Sequence, residues 1–282
     1  MRVLKRKSLF SNPWKTDQYK EKFLSESKVS WPKNVPHLSE DQKAISDDFM
    51  KYWHEVLPKK YGVVESFNHK YSLIEGSRDF LRTLEIGIGL GEHLNYEKLT
   101  PQQEENYYGL DFRKNMLEEV SKKYKNIKTV HADCQKRLNF DNDFFDRILA
   151  IHVLEHLPSL PSAIQEIHRI CNKKNGYFSI VIPCEGGLAY SIARKISAER
   201  IFKKRYNQSY DWIVKTEHIN KPLEILSELE KFFYIKSMKF FPMKVKMINF
   251  NLCIGCHLIP RQEITPLEED SSTPSKEDQG LR

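Results

Sequence analysis

The chain has 282 residues, of which 40% are hydrophobic and 29% are charged, as in an ordinary globular protein. Its 45 lysine and arginine residues outnumber the 38 aspartate and glutamate residues. This moderately basic charge suits a phosphorylated ligand or an anionic surface, but it falls short of a nucleic-acid coat, so we expect no DNA partner.

Neither a membrane span nor an export signal is predicted. No apolar run reaches the ~18 residues of a transmembrane helix, and the basic residues 1–8 precede no apolar segment. The five scattered cysteines are odd in number, which favours a reducing compartment. We therefore expect a cytoplasmic protein, in contact at most with the inner membrane surface.

The composition divides the chain into four parts. Residues 1–38 are basic and irregular, and residues 39–79 are predicted to form a helical cap, which either contacts substrate or only packs on a sheet edge. Residues 80–260 are predicted to form one α/β domain, and residues 261–282 a disordered tail. The cap has Ser39 as a candidate N-cap and apolar residues at helical spacing, namely Ile45, Phe49, Trp53 and Val56.

A glycine-rich turn follows the first predicted strand. Leu84 and Ile86 flank Glu85, and alternate glycines follow at Gly87, Gly89 and Gly91. Missing side chains let backbone N–H groups approach a ligand, and a helix beginning near residue 92 would favour negative charge there. The dinucleotide-binding fingerprint requires a small residue where Glu92 stands, so that motif is incomplete.

Strands and helices then alternate. Strands are predicted at 107–111, 127–131, 144–151 and 177–182, and helices at 113–123 and 161–171. Such alternation indicates a mostly parallel sheet with helices on both faces, whose ligands lie beyond the carboxyl ends of the strands. A final helix at 222–231 and strands at 234–241 and 247–259 complete seven strands, with an insert at 185–222 after the fifth.

Polar residues stand at these strand ends. Asp111 can accept both hydroxyls of a ribose or can serve as a helix N-cap. Asp133 and Cys134 follow the third strand. His152-Val-Leu-Glu-His156 follows the fourth.

Together these segments resemble the Rossmann-like class I S-adenosylmethionine-dependent methyltransferases, in the small-molecule branch of the ubiquinone-biosynthesis type. The resemblance covers residues 83–183. It implies S-adenosylmethionine as cofactor, with its methionine part held by Glu85 and the glycine turn. It further implies that Asp111 accepts from the ribose, Met116 packs near the adenosine, Asp133 and Cys134 meet adenine, and His152 lies along the cofactor.

The family fixes no catalytic residue, so the base must come from the chemistry of the acceptor. An alcohol must lose its proton, and histidine is suited to this near neutral pH. His156 and His218 are the candidates, although His156 could equally have a structural role in its loop.

The insert indicates the acceptor. Its Cys184-Glu-Gly-Gly turn and its Tyr210-Asp-Trp segment resemble methyltransferases of surface-polysaccharide biosynthesis. Its cations could meet phosphates: Arg194, Lys195, Arg200, Lys203, Lys204 and Arg205. Its aromatic residues could stack on a sugar: Tyr206, Tyr210 and Trp212. Its apolar residues could insert into a membrane surface, or they could pack a solvated basic helix onto the rest of the protein: Ile192, Ile196, Ile201 and Phe202.

The sequence therefore predicts O-methylation of a sugar in a nucleotide- or lipid-linked surface-glycan precursor. The alternatives are methylation of a quinone-type lipid ring, methylation of RNA, for which no binding module is visible, and a scaffold that binds the cofactor without turnover.

No metal site is predicted. Cys253-Ile-Gly-Cys256-His257 matches the attachment pattern of c-type haem, but it lies within a predicted strand and haem attachment requires export. A zinc site would need a second ligand pair.

Overall fold

The computed structural model describes residues 29–262, and the side chains of residues 53–60 are outside that description. Most of the predicted irregular N-terminal segment and nearly all of the predicted tail therefore lie outside the described residues. The same holds for the predicted packing of Trp53 and Val56.

The described residues form nine α-helices and seven strands. The helices are α1 (Glu40–Lys60), α2 (Gly62–Glu75), α3 (Pro101–Glu105), α4 (Lys114–Lys123), α5 (Leu160–Ile170), α6 (Leu188–Arg194), α7 (Arg200–Tyr206), α8 (Asp211–Glu217) and α9 (Pro222–Phe232). The strands are β1 (Thr83–Ile86), β2 (Tyr107–Asp111), β3 (Lys128–His131), β4 (Arg147–Ile151), β5 (Tyr177–Pro183), β6 (Phe233–Pro242) and β7 (Asn251–Pro260).

All seven strands join one sheet in the order β3-β2-β1-β4-β5-β7-β6. The first five pair in parallel because the chain crosses back between them, and β7 is antiparallel to both of its neighbours. The order reverses between β1 and β4, whose carboxyl ends therefore bound the crevice in which ligands of such sheets bind. The predicted Rossmann-like, mostly parallel seven-stranded fold is confirmed.

The main core lies between the sheet and its helices. Leu84, Ile148 and Ile180 from the central strands are fully or almost fully buried. Helix α5 packs against them with Ile164 and Ile167, one turn apart, as the spacing predicts.

The predicted helix at the glycine turn is wrong. Only a 3₁₀ turn, His93–Asn95, follows the glycines, and α3 begins later at Pro101. The Glu92 carboxylate folds back onto the Leu90 N–H instead of continuing a helix. Thr100 caps α3 in a capping box with Gln103, which separates this helix from the turn.

The cap and the insert pack on each other. Phe49 of α1 joins Phe202 of α7 and Ile213 of α8 in a separate buried cluster, hereafter the cap–insert cluster. Helices α6 and α7 are joined by a five-residue π-helical segment, Lys195–Glu199. Within residues 29–262, no helix is both long enough and apolar enough to cross a membrane.

Candidate functional site

The glycine turn has a backbone that other residues rarely adopt. The φ angles of Gly87, Gly89 and Gly91 are +67°, +58° and +78°. A Cβ at Gly87 would stand 2.5 Å from Val153 Cγ2, whereas one at Gly89 would meet only the end of the Glu92 side chain within 4 Å. The turn is thus closed towards the protein at Gly87 and more open at Gly89, which fits the approach of a ligand to its backbone.

Glu85 lies beneath this turn in a buried polar network. Its carboxyl accepts a hydrogen bond from the Tyr107 hydroxyl at 2.7 Å, and burial raises its pKa to about 8. The guanidinium of Arg147 pairs with Glu97 at 2.6 Å in the same network. Glu85 is therefore placed to support the turn from within the protein.

Asp111 ends β2 and is buried directly beside the turn. Its Oδ2 accepts from the Gly89 N–H at 3.2 Å, and its Oδ1 accepts from the Arg113 N–H at 2.9 Å. The Arg113 side chain also binds both carboxylate oxygens, through Nε at 3.0 Å and Nη2 at 3.1 Å. Ribose hydroxyls could use this carboxylate only if the guanidinium moved away, because its lone pairs are already engaged.

The remaining residues of the predicted cofactor site line the same edge. Asp133 Oδ1 accepts from the backbone and side-chain N–H groups of Gln135, both at 3.0 Å. Burial raises the pKa of the adjacent Cys134 thiol, so this cysteine behaves as a small apolar residue. Met116 is half-buried on the first turn of α4.

His152 follows β4 with a left-handed backbone, φ +54°. Its N–H donates to Val181 O at 2.8 Å, and its Nδ1 lies 3.2 Å from Oε1 of the buried Glu155. Burial opposes protonation of His152, but its contacts with Cys253 and Glu155 prevail and raise its pKa. The ring is held at the edge of the sheet where the resemblance places the cofactor.

His156 and His218 come together, although they lie on either side of α5 and β5 in the chain. Their ring centroids are 5.3 Å apart. His218 Nδ1 lies 2.8 Å from Glu185 Oε2, and His156 Nδ1 lies 3.5 Å from Glu217 Oε2. Burial counts against protonation of His156, but the Glu217 and Glu155 carboxylates raise its pKa. We call these four residues (His156, His218, Glu185 and Glu217), together with Glu155, the His/Glu cluster.

One buried side chain fixes the two loops of this cluster. Asn220 Nδ2 donates to Leu154 O and to Leu157 O, each at 2.8 Å, and the Asn220 N–H donates to Glu155 O at 3.0 Å. Lys33 reaches the same loops from the N-terminal side, since its N–H donates to Pro158 O and its Nζ to Ile219 O. The loops that carry His156 and His218 are therefore locked together.

Much of the basic face predicted for the insert is occupied by ion pairs within the protein. Arg194 pairs with Glu185, Lys203 with Glu199, and Arg205 with Asp48. Three of the six predicted phosphate-binding cations are thus engaged; the other three, Lys195, Arg200 and Lys204, are exposed.

Part of the predicted sugar platform and of the predicted membrane face is taken up by packing within the protein. Tyr206, Tyr210 and Trp212 pack around Phe202 in the cap–insert cluster, with Phe202 fully buried. Ile201 packs there too, whereas Ile192 and Ile196 are 52% and 70% exposed. The aromatic residues are used in packing because α1 offers them an apolar partner, which the spacing within the insert does not reveal.

The cysteine pair of β7 lies on opposite faces of the sheet. Cys253 packs with Tyr71, and Cys256 packs in the main core, both buried. His257 is buried and contacts Ser179 Oγ through Nδ1 at 3.0 Å. Since positions three apart in a strand point to opposite sides, this triplet cannot attach one haem.

Three residues of this edge were not predicted as site residues: Glu155, Glu185 and Arg113. Glu155 and Glu185 directly follow strands or their turns, so the rule that ligands lie beyond carboxyl ends could have selected them. Nothing in the sequence indicates that Arg113 covers Asp111.

Part of the chain matches one family model, and its fold is similar to that of several solved structures. Residues 84–180 match a family model described as a methyltransferase domain. No curated protein sequence matches the chain.

Three solved structures illustrate the fold similarity. A Thermotoga maritima S-adenosylmethionine-dependent methyltransferase, described as a possible histamine N-methyltransferase, superposes with a TM-score of 0.54 at 15% identity, over 77% of this chain and 98% of that one. A Pyrococcus horikoshii protein gives 0.51 at 13% identity, over 75% and 99%. A TehB-like S-adenosylmethionine-dependent methyltransferase from Corynebacterium glutamicum gives 0.50 at 13% identity, over 78% and 100%.

Proposed function

We propose that this chain, which is a class I S-adenosylmethionine-dependent methyltransferase by its match over residues 84–180, methylates the oxygen of a hydroxyl-bearing small acceptor. The acceptor class that we favour is a sugar in a nucleotide- or lipid-linked surface-glycan precursor. The proposed role in surface-polysaccharide biosynthesis is supported by the resemblance of the insert and by the side chains at the sheet edge beside it.

The residues at the carboxyl edge fit the cofactor. The glycine turn offers backbone N–H groups where side chains are absent, and Asp111, Met116, Asp133 and Cys134 lie along the adjoining strand ends. When bound, S-adenosylmethionine supplies a methyl group already activated by its sulfonium. The task left to the protein is to align the acceptor atom and to remove its proton where it has one.

The observation that carries the proposal is the His/Glu cluster. A hydroxyl oxygen is a poor nucleophile until it loses its proton, and His156 and His218 place two imidazoles near one another at the edge beside His152. Glu185 and Glu217 orient them from behind. An apolar acceptor pocket, or a scaffold without turnover, would have no use for this concentration of proton-accepting groups.

A phosphate-linked acceptor is supported by the remaining cations of the insert. Lys195, Arg200 and Lys204 are exposed on the segment that follows α6, whose Arg194 contacts the cluster through Glu185. A phosphate or diphosphate on the acceptor would complement them.

The test is methyl transfer from methyl-labelled cofactor to separate fractions of glycan precursors, lipids and RNA. We expect label in the glycan-precursor fraction. Label in a quinone or in RNA would show that the acceptor belongs to that class and not to the glycan precursors. No label, despite binding of the demethylated cofactor, would indicate a scaffold that binds the cofactor without turnover.

The roles of the two histidines are tested in the same assay. His156→Ala and His218→Ala should each lower turnover by ~10²-fold or more, the usual contribution of a group that promotes proton removal, with cofactor binding retained. The matched control is His37→Ala, an exposed histidine outside the cluster, which should leave turnover unchanged. Full turnover in either variant would show that the substituted histidine does not promote removal of the acceptor proton.

A further inference from the structure

We propose that Glu155, His156 and His218 bind one divalent transition-metal cation at the edge beside the methyl-transfer site. The cation site depends only on the positions and the chemistry of these three side chains. Only the role of the cation in activating an acceptor hydroxyl rests on the proposed function.

The three side chains have the proximity that such a site needs. One candidate ligand atom from each lies within 4.8 Å of the others. His156 Nε2 is 3.8 Å from Glu155 Oε1. Ligand bonds of ~2.0–2.2 Å require the atoms to close by about an ångström, which side-chain rotation supplies.

The buried carboxylate has capacity for a cation. Glu155 is 1% exposed, and its Oε2 accepts no hydrogen bond from any residue in the described part of the chain. A buried carboxylate oxygen without a partner is costly, since its desolvation is not compensated. The contacts of the two histidines with Glu185 and Glu217 leave this oxygen unpartnered, whereas a cation bound by Glu155 satisfies it.

The two imidazoles present Nε2 as the ligand nitrogen. Glu185 Oε2 is hydrogen-bonded to Nδ1 of His218 at 2.8 Å, which leaves Nε2 of that ring for the cation. In His156, Nε2 faces Glu155 Oε1, and Nδ1, which has no hydrogen-bond partner in the described part of the chain, lies 3.5 Å from Glu217 Oε2. A carboxylate behind a ligating histidine fixes the tautomer and strengthens the ligand, and this arrangement recurs in protein metal sites. Arg194 in turn pairs with Glu185. Asn220 joins the two loops, so the ligands are preorganised.

The donor set selects the kind of cation. Two imidazoles and one carboxylate suit Zn²⁺, Mn²⁺, Co²⁺ or Fe²⁺, whereas Mg²⁺ prefers oxygen ligands alone. The histidine side chains are 32% and 23% exposed, which leaves one side of the cation open. A catalytic rather than a closed structural site has this open position.

The open coordination position would let the cation activate a hydroxyl of the acceptor. An acceptor hydroxyl bound there would have its pKa lowered by the cation. Its O–H bond would break, the proton would pass to water, and the electron pair would stay on the oxygen bound to the cation. His156 and His218 would then promote proton loss through the metal instead of taking up the proton themselves.

The test is calorimetric titration of the full chain, stripped with chelator, with ZnCl₂, MnCl₂, CoCl₂ and MgCl₂, without cofactor or acceptor. We expect one equivalent of Zn²⁺ or Co²⁺ to bind and Mg²⁺ not to bind, with Co²⁺ showing the visible absorption of a site that contains nitrogen ligands. Glu155→Gln, His156→Gln and His218→Gln should each weaken binding at least 100-fold. Glu185→Gln and Glu217→Gln should weaken it about 10- to 100-fold.

His37→Gln is the matched control and should bind the cation as the parent chain does. Binding of the demethylated cofactor by each variant shows that it is folded. Absence of cation binding, or equal binding by the parent and all three ligand variants, overturns the metal site. Cation binding without methylation of any hydroxyl acceptor would contradict the proposed function alone, and full methylation in excess chelator would contradict only the role of the cation in activating the hydroxyl.

Discussion

Individual residues at the carboxyl edge set the backbone of the glycine turn and surround the predicted ribose acceptor, Asp111. Gly87, Gly89 and Gly91 all have left-handed backbones, and a Cβ would stand 2.5 Å from Val153 at Gly87 and 2.7 Å from Tyr124 at Gly91. Asp111 is the other decisive residue, because its carboxylate joins the Gly89 N–H to the Arg113 guanidinium.

Gly87→Ala should be more destabilising than Gly186→Ala. Both glycines have positive φ, +67° and +84°, so each alanine costs about 1–2 kcal/mol of backbone strain. Only at position 87 does the new Cβ meet an atom at 2.5 Å, while nothing lies within 4 Å at position 186. The crowding should add about 1–3 kcal/mol. Urea denaturation of both variants measures the difference, and equal midpoints would contradict the crowding.

Asp111→Asn should weaken binding of the demethylated cofactor by about 10- to 100-fold. An amide keeps the shape but loses the charge that strengthens hydrogen bonds from ribose hydroxyls, a loss of about 1.5–3 kcal/mol. Calorimetric titration measures it, with Asp141→Asn, an exposed loop aspartate, as the control. Unchanged affinity would show that Asp111 serves only to hold Arg113 and the turn.

At the scale of elements, the cap and the insert act as one packed unit beside the sheet. Phe49 from α1 meets Phe202 from α7 at 5.1 Å between ring centroids, and Tyr210 adds a second edge-on contact with Phe202 at 5.2 Å. Because this cluster is separate from the main core, the two regions can differ in local stability.

Phe202→Ala should loosen this unit without opening the sheet. Truncating a buried phenylalanine costs about 3–5 kcal/mol, and Phe202 is fully buried. Hydrogen exchange should accelerate in α1, α7 and α8, while β1, β4 and β5 keep their protection. Phe250→Ala, where the side chain is 50% exposed, is the control and should change neither region. Equal acceleration in the sheet would mean that cap, insert and sheet unfold together.

At the scale of the whole molecule, pH acts on stability through histidines buried without charge. His257 of β7 lies against Ser179 and Tyr177 of β5, and burial lowers its pKa to about 4. Between this value and the ordinary pKa of 6.5, the unfolded chain binds a proton that the folded chain does not. Stability from this group is therefore full above pH 6.5 and is lost as the pH falls towards 4.

His257→Asn should flatten that dependence. The parent chain should lose about 2 kcal/mol more unfolding free energy between pH 7 and pH 5 than the variant does, because only the parent contains this titrating group. Asparagine keeps a polar atom near Ser179, so the variant should remain folded. Urea denaturation at the two pH values measures the difference. Parallel losses in both proteins would assign the acid sensitivity to other groups, such as His93 and His168, whose pKa burial also lowers.

Local patterns were sufficient for the scaffold and for placing the predicted cofactor residues at the ends of its strands. Alternation of apolar strands with helices fixes a parallel sheet, because each crossover must return to the same edge. The predicted strand boundaries then place the acidic residues Asp111 and Asp133 at or just after the ends of strands. The helix predicted near Glu92 failed because a side-chain hydrogen bond to Leu90 and the start of α3 at Pro101 override a short periodic pattern.

By itself, then, the sequence determined the sheet and the tight glycine turn, since each follows from contacts between near neighbours or from a repeated period, and its resemblance to a known family implied the class of cofactor. Only the tertiary structure decided that the insert's aromatic residues pack on Phe49, that Arg113 covers Asp111, and that Glu155, His156 and His218 share one site. Those contacts join residues far apart in the chain. They depend on how separate loops pack, and no local spacing encodes that packing.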